Sequence, residues 1–317
     1  MHISENKTNK DSRRAFLKQS TLLLSSAPLY GNASFATFPL KAKSQTETKL
    51  HWLGSQAPAA NRGVTWGVPW RKGMLQDTEK LLLTVGGKSN SDVQHWVTAR
   101  WPDGSVKWSA HAAVWGQEGA GSDLVLRATG GVVNSGDRSI GVVENDDSVH
   151  VDTGAMQCVF AKNGSQLIRS IQVGERTTAT DGELILHWQN LPEPTVGEAL
   201  LSEALKSEIR DTVVEHAGPI RVVIKITGIH RSDTGRELLP FTVRCYCYLH
   251  TTSIRMVHTL VYDADEYKDF IRGVGVRFAV PMSDALYDRH IRFCGDNGGV
   301  FGEAVKGLTG LSREPGQ

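Results

Sequence analysis

Two tyrosines and two arginines are predicted to share one face of a β-hairpin. Arg244, Tyr246 and Tyr248 alternate with apolar residues, as the two-residue period of a strand requires, and Arg255 follows on the returning strand. Tyrosine offers a flat apolar ring with a polar tip, and arginine offers a planar fork of donors, so this face suits sugar rings and carboxylates. The same alternation also fits an outer, solvated sheet face.

The hairpin that positions these side chains extends from Thr242 to Leu249 and returns from Ile254. A loop of about four residues is a common hairpin length, and it sets Leu249 opposite Ile254. That register pairs Cys247 with Met256, Cys245 with His258, and Val243 with Leu260. Because nearly all of these side chains are apolar, we expect this second face to lie on a core. A charged loop then leads to a third strand that ends near Phe278.

Histidine and lysine supply the candidate catalytic groups. If Val106 to Trp115 is a regular strand, His111 shares an exposed polar face with Lys107 and Ser109, opposite Trp108 and Ala110. This face could contact a ligand or could simply be solvated. His258 is either a catalytic base or a core histidine satisfied by a hydrogen bond, and its apolar neighbours favour the core.

The charged loop after the hairpin supplies further binding candidates. Lys268 and Arg272 lie where binding residues tend to occur, although with Asp269 they also fit a surface cluster of salt bridges. The run from Asp263 to Glu266 comes nearest to a Ca²⁺ pattern, and it is more typical of a solvated turn. No Gly-rich phosphate loop, Ser/His/Asp elbow or Cys/His metal pattern is present, so neither a metal nor another cofactor is predicted.

The four cysteines are interpreted as structural. Cys158, Cys245, Cys247 and Cys294 lack metal-binding spacing, and Cys245 and Cys247 stand two apart on one strand, so we expect small core residues and no disulfide.

Composition predicts an all-β protein. The 317 residues are 22% charged and 40% hydrophobic, which is ordinary for globular proteins, and 32 glycines accompany many Val/Thr/Ile runs. One segment, Pro194 to Lys206, fits either a short amphipathic helix or a loop followed by a strand. Short connections between the later strands favour an antiparallel sandwich.

The N-terminal residues resemble an export signal. Arg13 and Arg14 form a twin-arginine motif within Ser12 to Lys18, followed by a weakly apolar stretch and a small-residue site at Ser34-Phe-Ala36. We therefore expect recognition by the twin-arginine machinery and a periplasmic or secreted location. The apolar stretch is too short to span a membrane. Residues 1–48 hold seven Lys/Arg and three Asp/Glu, which leaves −3 on the remainder and gives no reason to expect nucleic acid or anionic membrane as a partner.

We predict three segments: signal and linker at 1–48, a small β-barrel at 49–130, and a large β-sandwich at 131–317. Six of the eight tryptophans lie inside the barrel segment, in a stretch of about fifty residues. They form either an aromatic core, which we favour, or a sugar-stacking platform. The turn Pro102-Asp-Gly-Ser105 joins two of its strands. Glycines and aspartates from Gly119 to Asp147 predict the junction. Gly307 to Gln317 has the composition of a loop, so we expect a truncated sandwich.

Several ordered motifs carry a family resemblance. They are Trp66-Gly-Val-Pro-Trp70, Pro102-Asp-Gly-Ser-Val-Lys-Trp108, Glu215-His-Ala-Gly-Pro-Ile-Arg221, Ile254-Arg-Met-Val-His-Thr259, Lys268-Asp-Phe-Ile-Arg-Gly-Val-Gly-Val-Arg-Phe278, Gly298-Gly299 and Leu308-Thr-Gly310. From about residue 50 onward the chain resembles the exo-rhamnogalacturonan lyase/YetA-like proteins. That resemblance implies an N-terminal RIFT-type barrel and a central β-sandwich. The C-terminal α/α barrel of those relatives has no counterpart before residue 317.

The resemblance implies an exported lyase that acts on acidic plant or algal polysaccharide of the rhamnogalacturonan or ulvan type. A lyase needs donors that neutralise a uronate carboxylate, a base and an acid. Two other functions stay open at this point: a non-catalytic carbohydrate-binding or structural module, and a glycoside hydrolase, for which no pair of facing carboxylates can be assigned.

Overall fold

A computed structural model describes residues 47–53, 57–58, 61–76, 81–90, 92–116, 123–129, 139–193, 196–285, 288–294 and 299–304. The predicted export signal and part of the predicted junction, residues 119–122 and 130–138, lie outside these ranges. Every element of four residues or more in the described ranges is a β-strand, so the prediction of an all-β protein is confirmed. In the ambiguous segment 194–206, the described residues 196–201 are turn and loop, and a strand begins at Ser202. None of the described residues forms a helix that could cross a bilayer.

The described residues of the N-terminal part form seven strands in two sheets. They are β1 Glu47–Leu50, β2 Arg62–Pro69, β3 Leu81–Val85, β4 Lys88–Asn90, β5 Val93–Arg100, β6 Val106–Trp115 and β7 Leu124–Ala128. One sheet has the order β1-β7-β3-β4 and the other β2-β6-β5. Val68, Leu83 and Leu126 belong to the core between them. The tryptophans are divided, because Trp70 and Trp115 are buried whereas Trp108 is 42% exposed.

The predicted turn joins β5 to β6. Asp103 Oδ1 accepts hydrogen bonds from the backbone N–H of Ser105 at 3.1 Å and from its hydroxyl at 2.6 Å. Gly104 has a φ of 84°, a left-handed conformation that glycine adopts without strain. The turn therefore forms for the reasons that its composition predicts.

A chain of buried polar side chains crosses the N-terminal core. Trp70 Nε1 donates to Ser109 Oγ at 2.7 Å, Ser109 Oγ lies 2.8 Å from His111 Nε2, and His111 Nδ1 lies 2.6 Å from His95 Nδ1. The exposure predicted for Ser109 and His111 is wrong, since both are fully buried. The face they share points into the core, where each polar atom finds a hydrogen-bond partner.

The C-terminal part is dominated by a sheet of ten antiparallel strands. They are β8 Gly141–Glu144, β9 Ser148–Asp152, β10 Gln157–Ala161, β11 Ile168–Val173, β12 Arg176–Gln189, β13 Ser202–His216, β14 Arg221–Ser232, β15 Glu237–Tyr248, β16 Ile254–Leu260 and β17 Phe270–Ala279. The strands β18 His290–Cys294 and β19 Val300–Ala304 form a separate two-stranded ribbon.

The long strand β12 lets this sheet fold onto itself. Its first half, to Gly182, pairs with β11, and its second half, from Ile185, pairs with β13. Side chains from both arms of the sheet, such as Phe160 on β10 and Val243 on β15, meet in one hydrophobic core. Two layers that share a core form the sandwich, with strands β8–β11 on one side and β13–β16 on the other.

The register of the β15–β16 hairpin differs from the predicted one by two residues. Cys247 pairs with Ile254, Cys245 with Met256, and Val243 with His258. The loop is longer than predicted because the backbone N–H of Leu249 donates to the Ile220 carbonyl and not to the partner strand. His250, the next residue, adopts a φ of 54°, which is not a strand conformation. An even shift preserves the faces, so Cys245 and Cys247 are buried in the core as predicted.

Apolar side chains stay exposed along the last strands of the sandwich. Val276 on β17, Phe293 on β18 and Phe301 on β19 are 43%, 54% and 60% exposed. Val261, just after β16, is 60% exposed. These side chains do not belong to any of the three hydrophobic cores of the described residues.

Candidate functional site

Three neighbouring strands bring cationic and aromatic side chains to one face of the sandwich. Arg221 on β14 pairs with Tyr248 on β15, and Tyr246 pairs with Arg255 on β16. Directly paired residues share a face, so these four side chains lie on the side opposite the cysteines. The N-terminal part packs against one end of this face and contributes Trp96 from β5.

Arg221 holds a positive charge between rings from both parts of the chain. Its guanidinium carbon lies 4.3 Å from the centre of the Trp96 ring and 5.6 Å from that of Tyr246. Its Nη1 donates to Thr65 Oγ1 at 3.2 Å. Burial lowers the pKa of Arg221, and the nearby tyrosines oppose that shift. Arginine nevertheless keeps its proton in proteins, so Arg221 is a permanent cation next to the two rings.

The segment from Glu215 to Arg221 docks β14 against the N-terminal part. Gln94 Oε1 accepts the backbone N–H groups of Ile220 at 3.1 Å and Arg221 at 2.8 Å. His216 lies with its ring centre 4.7 Å from that of Trp96. A Cβ on Gly218 would lie 2.2 Å from Gln94 Nε2, so only glycine leaves room for this contact. The motif thus fixes where Arg221 enters the site.

Tyr248 anchors the two parts to each other. Its hydroxyl lies 2.8 Å from Thr65 Oγ1, and the side chain is 4% exposed. A Cβ on Gly63 would lie 2.1 Å from its ring. The outer position predicted for Tyr248 is therefore wrong, because the N-terminal part covers the ring that would otherwise face a ligand.

Arg244 is already paired with a carboxylate. Its Nε and Nη2 donate to the two oxygens of Glu215 at 2.7 and 2.8 Å. This contact lowers the pKa of Glu215 and raises that of Arg244. Both side chains are about one-third exposed, so a ligand carboxylate would have to compete with Glu215 for this fork.

Arg255 is the exposed cation of the face. It lies 5.8 Å from the centre of the Tyr246 ring. Within the described residues it has no carboxylate at ion-pair distance. We call Trp96, Arg221, Tyr246 and Arg255 together the arginine–aromatic face.

The other two predicted binding residues lie elsewhere. The strand β17, which begins just after Lys268 and carries Arg272, pairs with β12 and not with β14–β16. Lys268 Nζ lies 3.2 Å from Asp265 Oδ2 in an exposed salt bridge. The structure therefore does not bring Lys268 and Arg272 together with the arginine–aromatic face.

The three predicted catalytic candidates also lie apart from the face. His111 is in the N-terminal core, and Lys107 places its Nζ 4.7 Å from the centre of the Trp101 ring. His258 projects to the core side of β16, with its ring centre 5.9 Å from that of His230. Burial lowers the pKa of His258. No cluster of three or more metal-ligating side chains occurs in the ranges that the structure describes.

Sequence reasoning missed Trp96 and Arg221 as members of the site. Arg221 ends the Glu215–Arg221 motif, and Trp96 belongs to the tryptophan cluster, so both were visible as features. Their meeting depends on the contact between the two parts of the chain, for which a single sequence gives no direct signal.

Family models match both parts of the chain. The PcRGLX-like N-terminal RIFT barrel domain matches residues 46–128, and the PcRGLX-like protein central beta sandwich domain matches residues 140–317. The chain belongs to the PcRGLX-like family. The predicted resemblance and the predicted combination of RIFT barrel and β-sandwich are confirmed.

One curated relative is the uncharacterized protein YetA of Bacillus subtilis (strain 168), which is 36% identical over 251 residues. The match covers 79% of this chain and 29% of YetA, so the chain spans less than a third of that relative's length. The PcRGLX-like match relates the chain to rhamnogalacturonan lyases.

Proposed function

We propose that this chain binds a uronate-containing plant or algal polysaccharide, of the rhamnogalacturonan or ulvan type, on the arginine–aromatic face. The observation that carries the proposal is the exposed guanidinium of Arg255 beside the Tyr246 ring, with the Arg221 charge held behind that ring. A guanidinium is a planar donor that matches a carboxylate, and an aromatic ring packs on the C–H face of a sugar.

The same arrangement supports β-elimination as the reaction. A lyase of this kind removes the proton next to the uronate carboxylate and expels the glycosidic oxygen. The negative charge that develops on the carboxylate is stabilised by cations fixed in advance near it. Arg255 and Arg221 would supply that stabilisation, and Arg244 would add to it if the ligand displaced Glu215.

A second candidate function is carbohydrate binding without catalysis. The positions of His111 and His258 favour it, because both candidate bases point into cores and away from the arginine–aromatic face. On this alternative the face contributes affinity within a larger polysaccharide-degrading protein.

We also propose that the protein acts outside the cytoplasm. The support is the twin-arginine motif at Arg13 and Arg14, followed by an apolar stretch and a small-residue site. Polymeric polysaccharide does not cross a cell membrane, so an export signal agrees with a polysaccharide ligand.

Calorimetric titration with pectic and ulvan oligosaccharides tests the binding step. Arg255→Ala and Tyr246→Ala should each weaken binding about fivefold, since one exposed contact contributes on the order of 1 kcal/mol. The double variant should lose more, and added salt should weaken wild-type binding. Arg272→Ala is the matched control, because it removes an exposed guanidinium from β17 and should leave affinity unchanged.

Absorbance of the unsaturated uronate product separates the two functions. Binding together with a rise in this absorbance supports a lyase, whereas binding without it supports a non-catalytic module. Equal affinity of the wild-type chain and the Arg255→Ala/Tyr246→Ala variant would remove the arginine–aromatic face as the site.

A further inference from the structure

The outer face of the sheet β2-β6-β5 is covered by the sandwich at one end and open at the other. Because side chains alternate along a strand, Thr65 and Gly67 on β2 share this face with Trp108 and Val114 on β6. At the covered end, Thr65 contacts Arg221, and Val114 packs against the hydrophobic core of the sandwich. At the open end, Gly67 is exposed and Trp108 is 42% exposed. The sandwich therefore leaves Trp108 accessible to a ligand.

The position of Trp108 matters more than its exposure, since single exposed apolar side chains are common on protein surfaces. Trp96 on β5 pairs with Ala110, and Trp108 stands two residues before Ala110 on β6. Residues in this diagonal arrangement are about 7–8 Å apart, within reach of aromatic side chains. A Cβ on Gly67 would lie 3.7 Å from Trp108 Cε3, so the ring borders a position without a side chain.

Trp96 connects Trp108 to the arginine–aromatic face. The centre of the Trp96 ring lies 4.3 Å from the Arg221 guanidinium carbon, which also lies 5.6 Å from the centre of the Tyr246 ring. Tyr246 in turn pairs with the exposed Arg255. Aromatic rings and guanidinium groups thus follow one another from β6 to β16, across the contact between the N-terminal part and the sandwich.

The surroundings of Trp108 favour an uncharged sugar. Trp108 pairs with Pro69 on one side and with Ala99 on the other, and neither residue is charged. Lys107, its neighbour in the chain, places its ammonium group 4.7 Å from the centre of the Trp101 ring. A carboxylate beside Trp108 would therefore gain no cation from the paired residues. The C–H face of a neutral sugar packs on an indole ring without one.

We propose that Trp108 is a stacking platform for a neutral sugar unit of the same saccharide chain that places its uronate on the arginine–aromatic face. This proposal rests on the proposed function and adds a direction to it, because the ligand crosses from the sandwich onto the N-terminal part. Affinity should then rise with the length of the oligosaccharide, since a short acidic fragment fills only the arginine–aromatic face.

Calorimetric titration of the full chain with two rhamnogalacturonan fragments, a disaccharide and a hexasaccharide, tests the platform. Trp108→Ala should weaken binding of the hexasaccharide about fivefold, as expected for the loss of one aromatic contact, and leave binding of the disaccharide unchanged. Trp108→Phe keeps a ring and should retain most of the affinity. Tyr267→Ala is the matched control, because Tyr267 is an aromatic side chain that is 79% exposed just before β17.

The pattern of losses separates this proposal from the proposed function. Arg255→Ala should weaken binding of both fragments, whereas Trp108→Ala should weaken only that of the longer one. If Trp108→Ala binds the hexasaccharide as tightly as the wild type while Arg255→Ala does not, the platform is wrong and the proposed function stands. Equal losses for both fragments in Trp108→Ala would also overturn the platform, because Trp108 would then act on the arginine–aromatic face itself.

Two further outcomes decide the remaining cases. A wild-type chain that binds neither fragment would overturn both the platform and the proposed function. Should Trp108→Ala fail to fold, the indole ¹⁵N–¹H signal of Trp108, assigned from Trp108→Phe, must shift with the hexasaccharide and stay in place with the disaccharide. A signal that neither fragment moves would overturn the platform.

Discussion

His111 Nδ1 lies 2.6 Å from Nδ1 of His95, a distance at which one ring nitrogen donates a proton and the other accepts it. The Trp70 indole can only donate, so Ser109 Oγ accepts from it, and Ser109 Oγ also lies 2.8 Å from His111 Nε2. A hydrogen bond with the Leu81 backbone opposes the lowering of the His95 pKa by burial. Both imidazoles are neutral links of one hydrogen-bonded chain.

This arrangement predicts that the protein loses stability in mild acid. Burial lowers the pKa of His95 to about 4 and that of His111 to about 3, from an ordinary 6.5. Below about pH 6.5 the unfolded chain binds protons that the folded chain excludes until about pH 4, so the free energy of unfolding falls over this window. Each histidine should contribute about 2 kcal/mol to the loss between about pH 7.5 and pH 5, measured by urea unfolding.

Single variants test whether these two histidines, and not other titrating groups, cause the loss of stability in acid. His95→Gln should lower stability at neutral pH and also flatten its dependence on pH. The exposed His290 provides the control, since His290→Gln should keep the wild-type slope. A wild-type slope in His95→Gln would contradict the assignment.

A second prediction concerns the contact between Gly63 and Tyr248. Gly63→Ala would place a methyl group 2.1 Å from the Tyr248 ring, and such overpacking should cost about 1–3 kcal/mol in thermal or urea unfolding. In a Tyr248→Leu background the cost should shrink, because the ring that clashes is gone.

Gly67→Ala on the same strand is the control. Its Cβ would have nearest neighbours at 3.7 Å, an ordinary contact, so the change should be nearly neutral. Equal costs of Gly63→Ala in the two backgrounds would show that Tyr248 does not fill this space.

A third prediction concerns thiol reactivity. Burial raises the pKa values of Cys158 and Cys245, and it raises the pKa of Cys247 to about 12. Because the thiolate is the reactive form, none of the three should react with Ellman's reagent in the native protein. A Cys294→Ser variant should give no colour when native and three thiols in denaturant. Rapid labelling of the native variant would mean that the core opens readily.

A fourth prediction concerns export. Replacing Arg13 and Arg14 with lysine should keep the protein in the cytoplasm, because the twin-arginine route recognises the arginine pair. Fractionation of cells that express the two forms measures this. Unchanged periplasmic accumulation of the double variant would exclude the route.

Strand composition predicted the fold class, and alternation predicted which face of β15 is buried. The predicted register of the hairpin was wrong by two residues. The backbone N–H groups of Leu249 and His250 donate to carbonyls of neighbouring segments and do not extend the pairing between β15 and β16. Such bonds are tertiary, so loop length alone could not reveal them.

The site shows the same division between local pattern and tertiary contact. Tyr246 and Tyr248 have identical alternation in the sequence, yet Thr65 and Gly63 cover only Tyr248. The polar types of Ser109 and His111 predicted solvent, whereas the Trp70 indole and His95 provide partners inside the core. Residue type therefore identifies candidates, and packing decides which of them a ligand can reach.

The apolar side chains left exposed on β17, β18 and β19 affect how the folded state should be monitored. Dyes such as 1-anilinonaphthalene-8-sulfonate fluoresce on apolar surface and commonly report partial unfolding. Val276, Phe293 and Phe301 offer that surface in the native fold. We therefore expect such a dye to fluoresce strongly with the native protein. A rise in dye fluorescence would then not report unfolding, so intrinsic tryptophan emission is the better probe of unfolding.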